Sequence, residues 1–432
     1  MAETASEHAD VVVVGGGIVG CGATLYLARR GVDVVLLDKG RVAFEQSSRN
    51  WGWVRQNGRN LREIPAVVAS RALWTQLESE VGREVGWFSA GNLHLAYSEQ
   101  ELALFERWRS KAAERGLDTE IVSRADVQHW VPGLHDENVG GIFSPLDGQA
   151  DPHRVTAALA AAAIEHGARL HEGTAVTRVL VRDGRVRGVA TETGDVAAEC
   201  VIVASGAWSS RLLWPLGLRL PQRKVRATVS ATTPLPIESR VVVWARDLAL
   251  RQDHRGSFVL ASGGGRVPLD LEVLRFRESF RGSELDTGRR REVELDLGPE
   301  LARDLESLLS ARGPSSLWGR VRAEEPAPDA DSVGRALGEF QSLFPDSATT
   351  TERRWGGFID YTPDAIPVID RPASPHGLVI ATGFSGHGFA LGPIGGLLAS
   401  QLAMAETPEV DVLPFRLSRF AEGDTAEKEL HF

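Results

Sequence analysis

The chain has 432 residues, of which 43% are hydrophobic and 25% are charged. This length and composition predict two packed globular domains and argue against a disordered protein. The formal net charge of −10 disfavours nucleic acid or an anionic membrane surface as the main partner. Cys21 and Cys200, the only two cysteines, lie far apart in apolar contexts, which predicts buried thiols and neither a disulfide nor a metal site.

Targeting signals are not evident in the sequence. The first residues, MAETASEHAD, contain no basic region and no cleavage-like site, so no secretory signal is predicted. No run of about 18 apolar residues exists, so no membrane span is predicted. The expected location is therefore the cytoplasm.

The amino-terminal part of the sequence predicts a strand, a turn, a helix and a second strand. Residues 11–14 are four consecutive valines, which is typical of a strand buried on both faces. A helix is predicted at 21–30, with Gly31 as its carboxyl-terminal cap. A second buried strand at 32–37 ends at Asp38.

The turn after the first strand has the glycine spacing of a dinucleotide-binding fingerprint. Gly15 permits the tight turn, Gly17 lets the backbone approach a pyrophosphate, and Gly20 lets the helix pack close to the strand. The helix amino terminus favours phosphate, and the acid that ends the second strand can bind ribose hydroxyls. The fingerprint alone does not distinguish FAD from NAD. The predicted cofactor contacts here are Gly15, Gly17, Ile18, Val19, Gly20, Asp38 and Lys39.

Further elements follow along the chain. Helices are predicted at 99–115, 151–167 and 397–404, and strands at 175–181, 185–191, 200–204 and 378–381. Asp151 and Pro152 are the expected cap and first residue of their helix, and Asp-Gly and Thr-Gly pairs between the strands predict hairpin turns. The arginine-rich region 275–291 is interleaved with acidic residues and predicts a solvated surface or lid.

The absence of one long linker predicts domains whose segments interleave along the chain. We expect an α/β fold, in which a Rossmann-type FAD-binding domain interleaves with an α+β substrate domain built on a mostly antiparallel sheet. The predicted FAD-binding domain comprises 1–85, 146–222 and 340–432. The predicted substrate-binding domain comprises 86–145 and 223–339.

Three stretches indicate the cofactor. They are Ser-Ser-Arg-Asn-Trp-Gly-Trp-Val-Arg at 47–55, Val-Ile-Val-Ala-Ser-Gly-Ala-Trp-Ser at 201–209, and Gly-Phe-Ser-Gly-His-Gly-Phe at 383–389. Together they resemble the D-amino-acid oxidase superfamily of FAD oxidoreductases, and the resemblance covers essentially the whole chain. The third stretch is most similar to sarcosine oxidase.

The resemblance implies contacts with FAD. Ser47 and Ser48 would bond the pyrophosphate, although helix capping is an alternative, and the Val176 backbone would bond the adenine. The N–H groups of 386–388 would face the flavin N1 and C2 carbonyl. The implied contacts are Ser47, Ser48, Arg49, Asn50, Trp51, Gly52, Val176, Ala204, Ser205, Gly206, Trp208, Gly356, Gly386, His387, Gly388 and Phe389.

Non-covalent attachment of FAD is expected, because the positions used for covalent attachment in relatives carry other residues. Aligned on the Thr-Pro-Asp stretch at 362–364, the cysteine that holds flavin in sarcosine oxidase becomes Gly357. The attachment histidine of dimethylglycine-type relatives becomes Trp51.

The same resemblance implies a substrate site. Arg55 would grip a substrate carboxylate, which an arginine fork suits, although a structural salt bridge is an alternative. His387 would position or polarise the amine, unless it is an ordinary buried histidine. Trp51, Trp53 and Trp355 would wall the pocket or simply pack in the core. The candidate catalytic residues are His387, Arg55, Trp53, Ile359 and Arg354.

The sequence departs from the family at this site. Ile359 stands where glycine oxidase-like relatives carry a carboxylate-binding arginine, and Ala390 replaces a lysine of sarcosine oxidase. Gly52 replaces the arginine three residues before the carboxylate-binding one, so Arg354, Arg246 or Arg251 would have to substitute. These departures leave the substrate open.

The predicted activity is oxidation of the C–N bond of an amino acid or related amine by hydride transfer to flavin, with no metal. The electron acceptor would be O₂ or a quinone or other carrier. No lysine occurs between Lys224 and Lys428, which favours a dehydrogenase or slow oxidase. One alternative is a monooxygenase or dehydrogenase that uses NAD(P)H. Another is an FAD-bearing subunit that works with a partner chain in an opine or sarcosine oxidase-type complex.

Overall fold

The computed structural model describes residues 7–239, 241–262, 264–283, 285, 293–309, 321–322 and 325–425. The strands are β1 Glu7–Val14, β2 Val34–Leu37, β3 Trp53–Val54, β4 Asn92–Ala96, β5 Glu120–Ser123, β6 Gly140–Ser144, β7 Gly148–Gln149, β8 Arg169–His171, β9 Val176–Arg182, β10 Arg185–Thr191, β11 Asp195–Val203, β12 Arg223–Thr232, β13 Val242–Ala245, β14 Leu248–Gln252, β15 Phe258–Ser262, β16 Gly265–Pro268, β17 Val293–Asp296, β18 Thr351–Tyr361, β19 Val368–Asp370 and β20 Leu378–Thr382.

The helices connect and cover these strands. They are α1 Ile18–Arg29, α2 Gln46–Arg49, α3 Ile64–Val81, α4 Glu99–Ala113, α5 Arg124–Trp130, α6 Pro152–Glu165, α7 Ser209–Leu213, α8 Leu271–Arg275, α9 Glu300–Leu309, α10 Ala330–Leu343, α11 Gly388–Ala403 and α12 Arg419–Glu422. Short 3-10 turns occur at Gly206–Trp208, Trp214–Leu216 and Leu413–Phe415. Within the described ranges, none of these helices combines the length and apolar character needed to cross a bilayer.

The first sheet has the order β19-β20-β11-β1-β2-β8, and the β9–β10 hairpin extends from β11. Strands β20, β11, β1, β2 and β8 run parallel, whereas β19 is antiparallel to β20. Alternate residues of β1 enter different cores: Val11 and Val13 pack under helices such as α1, α6 and α11, and Val12 and Val14 pack on the opposite face. Burial on both faces explains the all-valine run.

The second sheet has the order β17-β16-β12-β15-β14-β13-β4-β6-β5, with β18 paired to β12. Its pairs are antiparallel except β13 with β4 and β16 with β17. One face packs against α10 through Phe340 and Phe344, and the other carries a group of tryptophans described below. The predicted α/β fold with a mostly antiparallel second sheet is confirmed.

The predicted domain bounds stay a prediction. Segments 86–145 and 223–339 supply β4–β6 and β12–β17 of the second sheet, as expected. However, β18 also belongs to this sheet, although it lies within the segment 340–432 assigned to the FAD-binding domain. Most of the arginine-rich region 275–291 lies outside the described residues.

Several predicted element bounds are corrected. Helix α1 starts at Ile18, before the predicted residue 21, and β11 starts at Asp195, before residue 200. The largest correction is α11, which starts at Gly388 although the sequence predicted a helix only from 397. Its glycines weaken the helical signal, but they let α11 touch α1: a Cβ on Gly396 would lie 2.9 Å from Gly22 Cα. Tertiary packing therefore overrides low helix propensity here.

Candidate active site

A cavity opens at the carboxyl ends of β1, β2, β11 and β20, where parallel sheets usually bind their ligands. It is lined by residues from both ends and the middle of the chain. The predicted cofactor contacts found in its wall are Gly15, Gly17, Ile18, Val19, Asp38, Lys39, Ser47, Asn50, Val176, Ala204, Ser205, Gly206, Trp208, Gly386, Gly388 and Phe389.

The glycine turn closes tightly on the neighbouring strand. Gly15 has φ 110°, and a Cβ there would lie 2.5 Å from the Ala204 carbonyl oxygen. A Cβ on Gly20, which lies inside α1 and outside the cavity wall, would lie only 1.9 Å from the Gly15 carbonyl oxygen. Both positions exclude any side chain, as the fingerprint predicts.

Asp38 is anchored by the backbone at the end of β2. Its two carboxylate oxygens each accept a hydrogen bond, from Gly16 N and from Gly40 N, both at 2.7 Å. Burial raises the pKa of Asp38, and these two N–H donors oppose the shift. Because a carboxylate oxygen has a second lone pair, Asp38 can still accept a bond from a ligand in the cavity.

The two serines of the second motif face different ways. Ser47 Oγ accepts a hydrogen bond from Ile18 N at 2.9 Å, which closes the amino terminus of α1 beside the cavity. Ser48 is buried, and its Oγ donates to the Phe44 carbonyl oxygen. Ser48 therefore faces away from the cavity, and the pyrophosphate role stays a prediction for Ser47.

One cavity wall combines the predicted residues Lys39 and Trp208 with two charged residues, Glu45 and Arg211, that sequence reasoning missed. Lys39 Nζ lies 3.3 Å from the centre of the Trp208 ring, and Trp208 Nε1 donates to Glu45 Oε2 at 2.9 Å. Arg211 also lines the cavity and lies within ion-pair distance of the buried carboxylates of Asp270, Glu272 and Asp304. Because these partners are distant in sequence, no local motif could reveal them.

Five other predicted contacts do not line the cavity, and one of them, His387, is described below. Arg49 pairs with Glu325 at 2.8 Å, and a Cβ on Gly356 would lie 2.4 Å from the Pro326 carbonyl oxygen. Trp51 and Gly52 lie against Arg251, whose Nε donates to the Trp51 carbonyl. Arg251 Nη2 would lie 2.9 Å from a Cβ on Gly52, so its guanidinium occupies the space beside this glycine.

The second predicted part of the site forms where α11 packs against β3. His387, which immediately precedes α11, lies with its Nδ1 2.9 Å from Glu63 Oε1. Arg55 follows β3, and its charge acts on both of these groups. The structure therefore brings Arg55 and His387 together, and their roles stay predictions.

Burial governs the electrostatics of this part. It lowers the pKa of Arg55 to about 9, and the positive charge of Arg59 adds to the shift. Burial also lowers the pKa of His387 to about 4, again with a contribution from Arg59. In the part of the chain that the structure describes, no carboxylate forms an ion pair with Arg55. A guanidinium in this state can bind a ligand carboxylate.

Aromatic rings flank Arg55. The ring centres of Trp51, Trp53 and Trp244 lie 5.5 to 6.1 Å apart, and the Arg55 guanidinium carbon lies 5.9 Å from the centre of the Trp244 ring. Trp244, on β13, was not among the predicted wall residues. Trp355 packs against the same cluster, and its Nε1 donates to the Arg49 carbonyl oxygen.

The candidates Ile359 and Arg354 lie on opposite faces of strand β18. A Cβ on Gly386 would lie 3.9 Å from Ile359 Cγ2 and 3.6 Å from Tyr361 Oη, so these two side chains face the loop at 386–388. Arg354 is exposed, and strand alternation places it on the opposite face. Arg246 is half exposed and pairs with Asp136. Of the three proposed helpers, only Arg251 contacts the segment before Arg55.

A hydrogen-bonded frame holds the loop at 383–387. Ser385, at φ 51°, receives a bond from Thr362 N at its Oγ and donates its own N–H to the Asp360 carbonyl oxygen. Thr362 Oγ1 also contacts Asp364, which pairs with fully buried Arg419 through both carboxylate oxygens at 2.9 and 3.0 Å. This frame fixes the backbone that positions His387.

Comparisons with known proteins identify the family. The family model "FAD dependent oxidoreductase" (DAO) matches residues 10–402. Sarcosine dehydrogenase from Mus musculus is 31% identical over 49% of this chain, and the match spans only 24% of that longer protein. Sarcosine oxidase subunit beta from Rhizobium meliloti is 26% identical over 96% of this chain and 89% of its own length.

A solved structure shows the same fold. L-amino acid deaminase from Proteus myxofaciens superimposes with a TM-score of 0.89 over 97% of this chain and 95% of that protein, at 24% identity. The fold and the cavity define a dinucleotide-dependent oxidoreductase. The chain belongs to the DAO family of FAD-dependent oxidoreductases, which confirms the predicted family and enzyme class.

Proposed function

We propose that the chain binds FAD non-covalently and oxidises the C–N bond of an amino acid or N-substituted amino acid. The observation that carries this proposal is Arg55, a partly buried guanidinium without an ion-pair partner in the described part of the chain, whose charge acts on His387. Sarcosine dehydrogenase and sarcosine oxidase subunit beta, which the sequence resembles, are named for an N-methyl amino acid.

The residues of the cavity fit FAD. Glycines 15 and 17 and the start of α1 would hold the pyrophosphate, and Asp38 would bind the ribose. The loop at 386–388 would meet the flavin ring, because Gly386 and Gly388 line the same cavity as Asp38. Non-covalent binding is supported by Gly357 and Trp51, which offer no nucleophile at the attachment positions of relatives.

Bound FAD supplies a two-electron acceptor. The chain would contribute orientation and exclusion of water: Arg55 binds the substrate carboxylate, and Trp53 and Trp244 enclose the neighbouring space. The α C–H bond breaks and its hydrogen leaves with both electrons, while the nitrogen lone pair forms the C=N bond. Water then hydrolyses the imine.

The test is anaerobic bleaching of the purified, FAD-loaded protein by a panel of amino acids and N-alkyl amino acids. We expect a yellow protein, release of the flavin by acid precipitation, and loss of flavin absorbance with at least one substrate. A protein that remains colourless after reconstitution, or that no member of the panel bleaches, would refute the proposal.

A second candidate is an FAD-bearing subunit that works with a partner chain. The similarity to sarcosine oxidase subunit beta over nearly the whole chain supports it. A mass measurement of the isolated protein, combined with turnover assays using O₂, a quinone or a dye as acceptor, distinguishes a self-sufficient enzyme from a subunit. Flavin reduction by NAD(P)H under nitrogen would instead support the monooxygenase alternative.

A further inference from the structure

Glu63 is a buried carboxylate whose charge acts on Arg55 and Arg59 and which contacts His387. It directly precedes α3, yet its side chain caps none of the free N–H groups of that helix. The side chain is 0% exposed, and its Oε1 lies 2.9 Å from His387 Nδ1. Its other oxygen, Oε2, has no hydrogen-bond partner among the described residues. Burying a carboxylate is costly, and Glu63 spends its one side-chain hydrogen bond on His387.

With Glu63 ionised, the contact assigns the proton of the neutral His387 ring to Nδ1. An ionised carboxylate only accepts hydrogen bonds, so Nδ1 must donate to it. The neutral ring then has Nε2 unprotonated, with its lone pair available. The His387 side chain keeps 18% of its surface exposed while Glu63 keeps none, so the accessible edge of the ring is the edge away from Glu63.

The surrounding charges favour this neutral form. Arg59 and Arg55 both oppose a positive charge on His387, whereas Glu63 favours one. Asp147 acts on both arginines from the β6–β7 turn, and Tyr361 acts on them from β18. A substrate carboxylate on Arg55 would remove part of the opposing positive field, which makes His387 a better base once substrate is bound.

We propose that Glu63 is a positioning residue that holds His387 as the Nδ1–H tautomer, so that Nε2 takes a proton from the substrate ammonium group. This inference rests on the proposed amine oxidation. An ammonium N–H bond breaks, the proton forms Nε2–H, and the nitrogen keeps the electron pair that it needs to form the C=N bond. The Glu63 carboxylate then stabilises the resulting imidazolium.

The tautomer can be measured without turnover. Protein labelled with ¹⁵N-histidine and loaded with FAD should show His387 protonated at Nδ1 and bare at Nε2. The Glu63→Gln variant should lose this state, because a side-chain amide can donate to Nδ1. His171 provides a matched control: its Nε2 lies 3.0 Å from Glu7 Oε1, so Glu7→Gln should change only the His171 signals. Finding Nε2–H in the wild-type protein would overturn the proposal.

Kinetics provide the second readout. At neutral pH, Glu63→Gln should reduce the limiting rate of anaerobic flavin reduction about 100-fold, with little change in binding of an unreactive carboxylate analogue. The difference in rate between the variant and the wild-type protein should become smaller as pH rises, because the substrate is then already a free amine and needs no base. Equal deficits at all pH values indicate a merely structural role and contradict the inference. If the wild-type protein is not bleached by any substrate, the proposed function fails instead, whatever the tautomer.

Should Glu63→Gln fail to fold, Glu63→Asp keeps the charge and shortens the side chain. It should preserve the Nδ1–H tautomer and show a smaller loss of rate than Glu63→Gln or His387→Asn. A loss as large as that of His387→Asn, in a variant that retains the tautomer, would also contradict the proposal.

Discussion

The two halves of the candidate site are built in different ways. The dinucleotide half is centred on the glycine turn at 15–17 and on Asp38, at the ends of the parallel strands β1 and β2. The substrate half brings together Arg55, Glu63 and His387, which come from three separate parts of the chain. The first half is therefore specified by local geometry, and the second by long-range packing.

This difference determines how each half should respond to change. A side chain added to the glycine turn meets backbone atoms that cannot move, so the damage should be structural and complete. A side chain removed from the substrate half leaves the fold in place and takes away one interaction with the ligand. The predictions below test this contrast, beginning with the largest effect.

Gly20→Val should abolish FAD binding and most of the soluble protein, because even its Cβ would lie 1.9 Å from the Gly15 carbonyl oxygen. The measurement is flavin absorbance per chain together with thermal unfolding. Gly334→Ala in α10 is the control, since a Cβ there meets nothing within 4 Å. The control should be neutral or more stable by about 0.5–1 kcal/mol. A normal FAD content in Gly20→Val would contradict the expectation that the glycine turn tolerates no side chain.

Arg55→Ala should leave the flavin spectrum intact and weaken the substrate or a carboxylate analogue about 100-fold or more, as expected when a buried charged partner is removed. Titration of the oxidised enzyme measures the analogue, and stopped-flow bleaching measures the substrate. Exposed Arg354 is the matched control, and Arg354→Ala should change neither value by more than about twofold. If the two variants weakened binding equally, Arg55 would not be the residue that binds the substrate carboxylate.

Trp244→Ala should alter substrate discrimination and leave the fold unchanged. Its ring lies 5.8 Å from Trp51 and 6.1 Å from Trp53, so its loss opens one wall beside Arg55. We expect about a tenfold change in the ratio of kcat/KM values between a large and a small substrate side chain. Trp214, which lies against Arg219 and Arg275, is the control. An unchanged ratio in Trp244→Ala would place this ring outside the pocket.

The smallest effect concerns pH and stability. Burial, with the charge of Arg55, lowers the pKa of His94 from about 6.5 to about 3. The unfolded chain therefore takes up a proton below about pH 6.5 that the folded protein refuses, and stability falls as pH decreases. His94→Asn should make the free energy of unfolding less dependent on pH. Between about pH 6.5 and pH 4, its slope should become smaller by up to about 1 kcal/mol per pH unit.

Urea unfolding of both proteins across this pH range measures the difference in slope. Asp147 and Asp360, whose pKa values burial raises to about 6, act in the opposite direction. Their contribution is present in both proteins and cancels in the comparison. Parallel stability curves for the two proteins would show that His94 keeps an ordinary pKa in the folded state.

The same contrast explains what the sequence could predict. The glycine fingerprint, Asp38 and the helix capped by Asp151 depend on residues close in the chain, and all are found as expected; Asp151 accepts bonds from His153 N and Arg154 N. The family resemblance placed Arg55 and His387 in one site. No local pattern marked Glu63 or Trp244, because their roles depend on which distant elements pack beside them.

The misplaced helix start has the same origin. Glycines at 392, 395 and 396 argue against a helix by propensity, but in three dimensions they are the positions where α11 meets α1 and Phe384. Likewise, Gly52 stands where relatives carry an arginine, so the sequence predicted that a positive charge is missing there. In the structure, Arg251 from the second sheet occupies the adjacent space. In both cases the decisive neighbour is far away in sequence.

The Asp364–Arg419 pair ties the last described helix to the loop that carries His387. A proteolytic cut or a stop codon just before residue 419 would leave Asp364 without its guanidinium partner, beneath Thr362 and Ser385. Such a shortened chain would retain every glycine of the fingerprint and still hold its nucleotide end. Its rate of flavin reduction should nevertheless fall, because Arg419 helps to hold the loop at 383–387 in place.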